Sequence, residues 1–460
     1  MYARLLLSAA AILVLLPWPL WAQDVSEFLT REREIHAQNA AGNYREMERL
    51  ARRLCDAQAA NPNADWEATA VAKGLLGRAL MKQGRHTEAE PLFGEALASF
   101  DQRCGSDSPE SSWLRSSLGH IYCGLGRHRE AEALLQKDLT IRERTFGPRH
   151  TATADSLKNL AELYLAQDRV REAEAVCLRA LTILRNGEYG MDYRREIAET
   201  LGLLGRVYLD LDRHSEAERC FREELQITEN RCGPEHSARV VPLNSLAGVL
   251  VDEDRFAEAE PLYQCALGIT EKALGPEHPN TGIVLTGLAE LYRRQGRYAE
   301  AEPLLIRAIA GLKKSQGPQA LVTASACHGL AKLRKDQGLY SEAESLGQEV
   351  HAAIERTTGP SSALFAVSEH FLAELYRAQG RNDEAERYYT RALAIREKAL
   401  GPEHRETAET LRGLGELYQA QGRTAEAEPF LQRAKAIEDK RSKPQAKPEA
   451  GQPPQSRLPN

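Results

Sequence analysis

Runs of β-branched residues are nearly absent from this chain of 460 residues, and aromatics make up only 6% of it. Strands are rich in both, so no sheet is expected. A lopsided charge is also missing. The formal net charge is −6 with 27% charged residues, and without a basic excess nucleic acid is not expected as a partner. Eight cysteines, at 55, 104, 123, 177, 220, 232, 265 and 327, include no CxxC and no paired spacing. Most stand where neighbouring copies of the same segment carry Ala, Leu or Tyr, so they read as small buried apolar side chains. GxxxxGK[ST], HExxH, GxSxG and a glycine-rich strand-to-helix loop are all lacking. No catalytic, cofactor or metal site is therefore expected.

What is abundant is Ala, Leu, Glu and Arg, the good helix formers, and the fold class read from them is all-α. The first 22 residues differ. Arg4 is their only charge, residues 5–16 are mostly apolar, and PWPLWAQ follows. This is the pattern of a secretory signal peptide cut after Ala22. The rival reading is a retained membrane anchor. Residues 5–22 offer 18 positions interrupted by Pro17 and Pro19, against the roughly 20 apolar residues that a span requires. No second hydrophobic run is long enough to span. Residues 441–460 (RSKPQAKPEAGQPPQSRLPN) are proline-rich and basic, and read as a disordered tail.

Between these ends one phrase recurs. ALGITEKALGPEH (266–278) returns as ALAIREKALGPEH (392–404), 126 positions later. A second marker, GRxxEAE and its variants, begins at 42, 84, 126, 168, 212, 254, 296, 338, 380 and 422. The spacing is 42 at every step except one of 44, and the longer step contains NGEYGMDYR (186–194). The 126-residue offset is thus three periods. Each period reads as two helices. In the unit around 296 the first spans 281–295, with Leu285, Leu288, Ala289 and Tyr292 on one stripe. The second starts near Tyr298, with Ala301, Leu304, Leu305, Ala308 and Ile309 on its stripe. Gly296 supplies the turn between them, while Gly275 and Gly401, backed by Pro276 and Pro402, end second helices. Pro91, Pro261, Pro303 and Pro429 lie deeper than the first helical position, so a slightly opened first turn is expected there.

A lone pair cannot cover its apolar stripes, so about ten antiparallel pairs must stack as an α-solenoid over residues 23–440. Two columns of small residues allow the close approach. One is Ala161, Gly205, Ala247, Ala289, Ala331, Ala373 and Gly415. The other is Ala173, Ala217, Ala259, Ala301, Ala343, Ala385 and Ala427.

The register L-x-x-L-A-x-L-Y-x-x-x-G, then EAE, then a spaced Ala, resembles the tetratricopeptide repeat. The 42-residue period and the string Ala-Leu-x-Ile-x-Glu-Lys-x-Leu-Gly-Pro-x-His resemble its kinesin light chain type. The resemblance covers residues 26–440. It implies a right-handed superhelix whose first helices line a concave groove, and a role in gripping a protein or peptide. The heptad segment that precedes that family's repeats is not expected between Gln23 and the first unit. The family's paired asparagines on the first helix remain only as Asn159 and Asn244. Other units carry Lys158, Gly202, Thr286, Gly287, His328, Gly329, His370 or Arg412, so the family's peptide preference does not carry over.

The histidines of GPxH (His150, His236, His278, His404) stand in separate units, whereas metal ligands must converge on one ion. They read as helix-boundary residues, and the EAE pairs read as scaffold. One constellation exceeds this background. Arg293, Lys335 and Arg377 stand 42 apart on three successive first helices, with Arg294 and Lys332 beside them and His328 and His370 at another inner position. Without Arg4 and the net +3 of the tail, the body carries −10. A basic stripe in an acidic body would attract an acidic segment of a partner. The expectation is an exported, periplasmic or secreted, non-catalytic scaffold that binds a peptide or protein segment in its groove and makes no membrane contact once the leader is cut. The alternative is a membrane-tethered assembly component with residues 1–22 retained.

Overall fold

The computed structural model describes residues 18–40, 43–61, 65–167, 169–187 and 192–442. The marker positions 42 and 168, most of the leader and the tail beyond 442 lie outside the described residues. Among the described residues, twenty α-helices follow one another as ten hairpins, with short 3-10 turns at Pro109–Ser111 and Ser237–Arg239 and no strand. The hairpins are α1 (Trp18–Ala40) with α2 (Tyr44–Ala60), α3 (Trp66–Lys82) with α4 (His86–Cys104), and α5 (Ser112–Gly124) with α6 (His128–Phe146). Next come α7 (Thr151–Ala166) with α8 (Val170–Arg185), α9 (Arg194–Asp210) with α10 (His214–Cys232), and α11 (Val240–Asp252) with α12 (Phe256–Ala273). The last four are α13 (Pro279–Arg294) with α14 (Tyr298–Ser315), α15 (Leu321–Asp336) with α16 (Tyr340–Thr358), α17 (Ala363–Ala378) with α18 (Asn382–Ala399), and α19 (Arg405–Ala420) with α20 (Thr424–Ser442). The two extra residues of the longer period fall between α8 and α9, so the stacking register survives them.

Each hairpin turns within three residues. At the end of α13, Gly296 takes φ 74° and its amide donates to the Arg293 carbonyl, while the Arg297 amide donates to the Tyr292 carbonyl. This double closure satisfies the orphan carbonyls of the helix end. Arg297 is at once the last residue of the closure and the N-cap of α14. Among the described residues two linkers place an aspartate in the left-handed position instead of glycine: Asp212 at φ 56° and Asp254 at φ 57°. Aspartate tolerates that region better than most side chains, though not as freely as glycine.

The GRxxEAE marker is an inter-repeat clamp. The Arg297 guanidinium donates to both carboxylate oxygens of Glu300 (2.7 and 2.6 Å), and its Nη1 reaches back to Glu260 of the preceding unit at 3.0 Å. Its plane lies 4.0 Å from the Tyr292 ring centroid, and the Tyr292 hydroxyl donates to the same Glu260. The first Glu of EAE thus holds its own arginine and the second waits for the next unit's. Ala301 between them is fully buried against the neighbouring helix. Arg127, Arg169, Arg213, Arg381 and Arg423 repeat the guanidinium clamp onto Glu90, Glu132, Glu174, Glu344 and Glu386, each stacked on a tyrosine ring. The hydroxyls of Tyr376 and Tyr418 also donate to Glu344 and Glu386.

Arg85 and Arg255 hold the equivalent two acids without a tyrosine, since positions 80 and 250 are leucine. The first unit has Asn43 in the place of the arginine, and a later unit departs further. Position 339 is leucine, so the clamp arginine is gone. The tyrosine position of that unit is Arg334 instead, and its guanidinium donates to both oxygens of Glu302 (2.9 and 2.6 Å) and lies 2.9 Å from Glu342. The same two acids are therefore bridged from five residues earlier in the chain.

The GPxH histidines cap first helices. The Nδ1 of His150, His236, His278 and His404 accepts the amide two residues on, at 3.1 to 3.2 Å. These acceptors require the neutral ring. Second helices end where expected. Gly275 and Gly401 take φ 93° and 101°, and their amides reach back to the carbonyls of Thr270 and Arg396. The four mid-helix prolines stand on exposed faces, where the carbonyl left without a donor meets water.

The apolar interior does not close within any hairpin. Its largest continuous part runs from Ala131 to Leu333, across the units between them. The alanines of both small columns are fully buried. At Gly205 a Cβ would lie 2.5 Å from the Phe221 ring, which is why this crossing takes no side chain at all. First helices of successive units touch one another along most of the array, while second helices pack between their flanking first helices. The first helices therefore lie on the inner, tighter radius. All eight cysteines are free. Cys177, Cys220 and Cys327 are buried, but Cys104 and Cys265 are exposed, so the small-apolar reading does not extend to them.

The compensation at 334 and 339 can be tested directly. Arg334→Ala is expected to lower stability by about 1 kcal/mol, because the guanidinium is only partly exposed and holds two acids. The double variant Arg334→Tyr/Leu339→Arg rebuilds the standard clamp and is expected to recover that loss. The urea unfolding midpoints of the three proteins check it.

Candidate partner-binding groove

The inner face is built from first helices, so each unit contributes the same positions to a groove. Gly202 on α9, Asn244 on α11, Thr286 on α13, His328 on α15, His370 on α17 and Arg412 on α19 form one lane in register. The sequence-derived site residues distribute along this surface unequally.

The three bases spaced by 42 are present on the inner helices, and each is paired with an acid of the next unit. Arg293 donates to Glu290 at 2.8 Å and also to Asp336 at the end of α15. The Lys335 ammonium donates to Glu374 on α17 at 2.7 Å, and Arg377 donates to Glu416 on α19 at 2.6 Å. The stripe is thus a ladder of inter-unit ion pairs. Arg294 turns the other way, to the Val251 carbonyl at 2.6 Å and to Asp254 at 2.9 Å. Asn159 donates to the Ser116 hydroxyl at 2.8 Å. The Asn244 Oδ1 is buried and has no hydrogen-bond partner among the described residues.

His328, Lys332 and His370 come together at a pocket of about 420 Å³. Its floor is the inner face of α15 and α17. The His328 ring stands edge-on to Phe371 with centroids 4.8 Å apart. His370 packs against Tyr389, and its Nε2 lies 3.6 Å from Glu374. One wall is the start of α19, with Arg405, Glu406 and Glu409. The opposite wall is the end of α9, with Leu209 and Asp210. These walls belong to units five hairpins apart. They meet because the array coils back on itself: Arg405 donates to Asp212 at 3.3 Å across 193 positions of sequence. Asp212 is one of the two left-handed aspartates, so the strained linker carries the side chain that meets the far wall. Sequence reasoning missed Arg405, Asp212 and Phe371. The aspartate in place of the usual linker glycine was the available signal for one of them.

The charges in the pocket are not equivalent. Arg396 is buried against Glu406 at 3.1 Å, and Arg405 lies between Glu409 and Asp212. Among the described residues Lys332 has no hydrogen bond or ion pair. Its charge is felt by His328 and by Glu290. Burial, together with Lys332 and Lys335, pushes the His328 imidazole down to about 3. Burial opposes ionisation of Glu374 as well. There the His370 contact and Lys335 win, and they hold its carboxyl well below the usual range. At neutral pH the pocket therefore presents neutral His328 beside the Lys332 ammonium, which makes no direct ion pair among the described residues.

A ring held neutral in the fold but free to protonate when unfolded stabilises fully above the unfolded imidazole value of about 6.5 and progressively less below it. His278, His86, His128 and His351 are lowered by burial in the same direction. The histidine contribution to stability is therefore expected to be flat above about pH 7 and to fall toward pH 4. Glu224 and Glu369, whose carboxyls burial raises to about 8 and about 7, oppose it between about pH 4.5 and 8. His328→Asn should flatten that slope, worth about 1–2 kcal/mol near pH 5. Chemical denaturation across the pH series checks both.

Comparisons with known proteins agree with this architecture. A tetratricopeptide repeat family model matches residues 68–140, 110–186, 238–314, 283–356 and 364–439, and a second model of the same description matches 197–238. None of the curated proteins matches the chain. Among solved structures, nearly identical TPR-like repeats of a Podosopora anserina putative kinesin light chain share 24% identity over 45% of this chain and 97% of theirs, with TM-score 0.39. BtubC (BKLC) from P. vanneervenii shares 26% identity over 54% of this chain and 98% of its own, with TM-score 0.41. A Rap protein in complex with Competence and Sporulation Factor shares 15% identity over 81% of this chain and 98% of its own, with TM-score 0.57, which is a likeness of fold. The repeat matches span most of the sequence and coincide with the helix hairpins, and the chain belongs to the tetratricopeptide repeat family.

Proposed function

We propose that this protein is an exported, non-catalytic scaffold that holds an acidic segment of a partner protein in its groove. The observation that carries the reading is Lys332. It is a cation without an ion pair, at the floor of a pocket that the coiled array encloses. Beside it His328 is neutral, so the Lys332 ammonium stands there without an ion pair of its own among the described residues. A carboxylate entering from a partner would supply the missing counter-ion in a partly dehydrated site, where such a pair is stronger than on an open surface. A preformed groove lowers the ordering cost of association. The fold suits such a role, since the Rap protein that shares it is known in complex with Competence and Sporulation Factor.

A second reading, the membrane-tethered component, is favoured by one feature. Helix α1 runs unbroken from Trp18 to Ala40, through the expected cut after Ala22. Among the described residues no helix is long and apolar enough to cross a membrane, so tethering would depend on the residues before it.

Lys332→Glu is expected to abolish capture of acidic partner segments in cross-linking from the native envelope, and to leave the melting temperature within about 2 °C, because no intramolecular pair is lost. Unchanged capture would remove Lys332 from the binding surface. N-terminal sequencing of the exported protein is expected to begin at Gln23. A chain that begins at Met1 selects the tethered reading.

A further inference from the structure

Glu224 on α10 stands in a column that other units fill with buried apolar side chains, mostly alanine (Ala96, Ala180, Ala266, Ala308 and Ala392), with Leu54 and Val350 in two of them. One other acid occupies the column, Asp138, and it is satisfied. The Ser112 and Ser156 hydroxyls donate to it, and Arg142 lies 3.2 Å away. Glu224 has none of this. It is 8% exposed, its Oε2 is buried without a hydrogen-bond partner, and it has no salt bridge among the described residues. A buried carboxyl left in that state is costly, so its presence asks for a reason.

The room for it comes from Gly202 on α9. A Cβ built there would lie 2.8 Å from both carboxyl oxygens of Glu224. Gly202 belongs to the groove lane that continues as Asn244, Thr286, His328 and His370. The carboxyl of the outer helix therefore fills the place of a missing groove side chain. The next station of the lane is Asn244, on the helix that packs against the other side of α10, and its Oδ1 is the second unpartnered acceptor. Glu199, one turn earlier on α9, adds negative charge and is itself paired with Lys158 at 2.7 Å. Burial and the Glu199 charge push the Glu224 carboxyl up to about 8, as expected where no cation answers it.

We propose that Glu224, presented to the groove through Gly202, and Asn244 together receive a cationic side chain, an arginine guanidinium or a lysine ammonium, of the segment that lies in the groove. The assignment rests on the groove being a binding surface and adds a second point of recognition to it. Two acceptors without donors match a group that carries several N–H donors and no acceptor. Glu199 repels an anion and favours a cation at the same place. With a carboxylate held at Lys332 and a cation held at Glu224, the direction of the segment along the groove is fixed.

The test uses methylguanidinium chloride as the probe and its neutral analogue N-methylurea as the control, followed by saturation-transfer NMR on the full chain. It is run at about pH 9, a unit above the Glu224 value, so that the carboxylate is formed. Wild type is expected to transfer saturation to methylguanidinium and not to N-methylurea. Glu224→Gln keeps the shape and removes the charge, and is expected to weaken binding roughly tenfold or more with no loss of melting temperature. In Gly202→Ala the added methyl overlaps the carboxyl and displaces it from this place, and transfer should fall as well. Absence of transfer to wild type, equal transfer to Glu224→Gln, or retained transfer to Gly202→Ala overturns the proposal. The probe needs no partner segment, so its failure leaves the Lys332 reading untouched, and failed capture by Lys332 leaves this result standing.

Discussion

The architecture depends on an arginine that belongs to three places at once. In the linker between the helices of a hairpin it closes the first helix with its backbone, grips a glutamate one turn into the second, and reaches the glutamate left over from the unit before. The alanine between the two glutamates sits in the tightest contact of the interface, so the acids on either side are carried to a fixed depth. A single exposed ion pair contributes little to stability. A planar guanidinium held on two carboxylates and stacked on a ring does something else: it sets the register of one hairpin on the next. The unit that lost the linker arginine shows that the bridging, and not the residue, is what the fold retains. There Arg334 reaches the same two acids from the position of the missing tyrosine.

Because every interface is set in this way, inner-face positions fall into lanes, and a lane is the unit in which the groove varies. One lane changes from glycine to asparagine, threonine, histidine and arginine along the array while the frame beneath it stays the same. Bases along the last turns of α13, α15 and α17 are absorbed by acids of the following unit and contribute to the stacking. Lys332 and Glu224 are different: among the described residues neither has an ion pair, and both lie at the inner helices or directly behind them.

Much of the fold was legible one unit at a time. The 42-residue period, the Gly296-type turn, the small columns and the ends of second helices at Gly275 and Gly401 are local patterns, and the hairpins appear where they place them. The GPxH histidines were recognisable as boundary residues because separate copies cannot share one ion. Their capping of the helix that follows is local chemistry of the same kind. The site was only partly legible. His328, Lys332 and His370 could be placed on the inner face by register. Glu290, three residues before Arg293, is local, but the inter-unit acids that pair with Arg293, Lys335 and Arg377 lie 39 to 43 residues further on, and nothing in one unit announces those pairings.

By itself, then, the sequence determined the repeating unit, its turns and the order of helices, because those follow from interactions within about 42 residues and recur often enough to be read. Only the tertiary structure decided how far the array coils, and hence that Asp212 meets Arg405 across 193 positions and closes a wall of the pocket. It also decided that a glycine on one helix opens a window onto a glutamate of the next. Both outcomes depend on small rotations summed over many interfaces, or on the volume a neighbour leaves empty. Neither quantity is written in the pattern of any single unit.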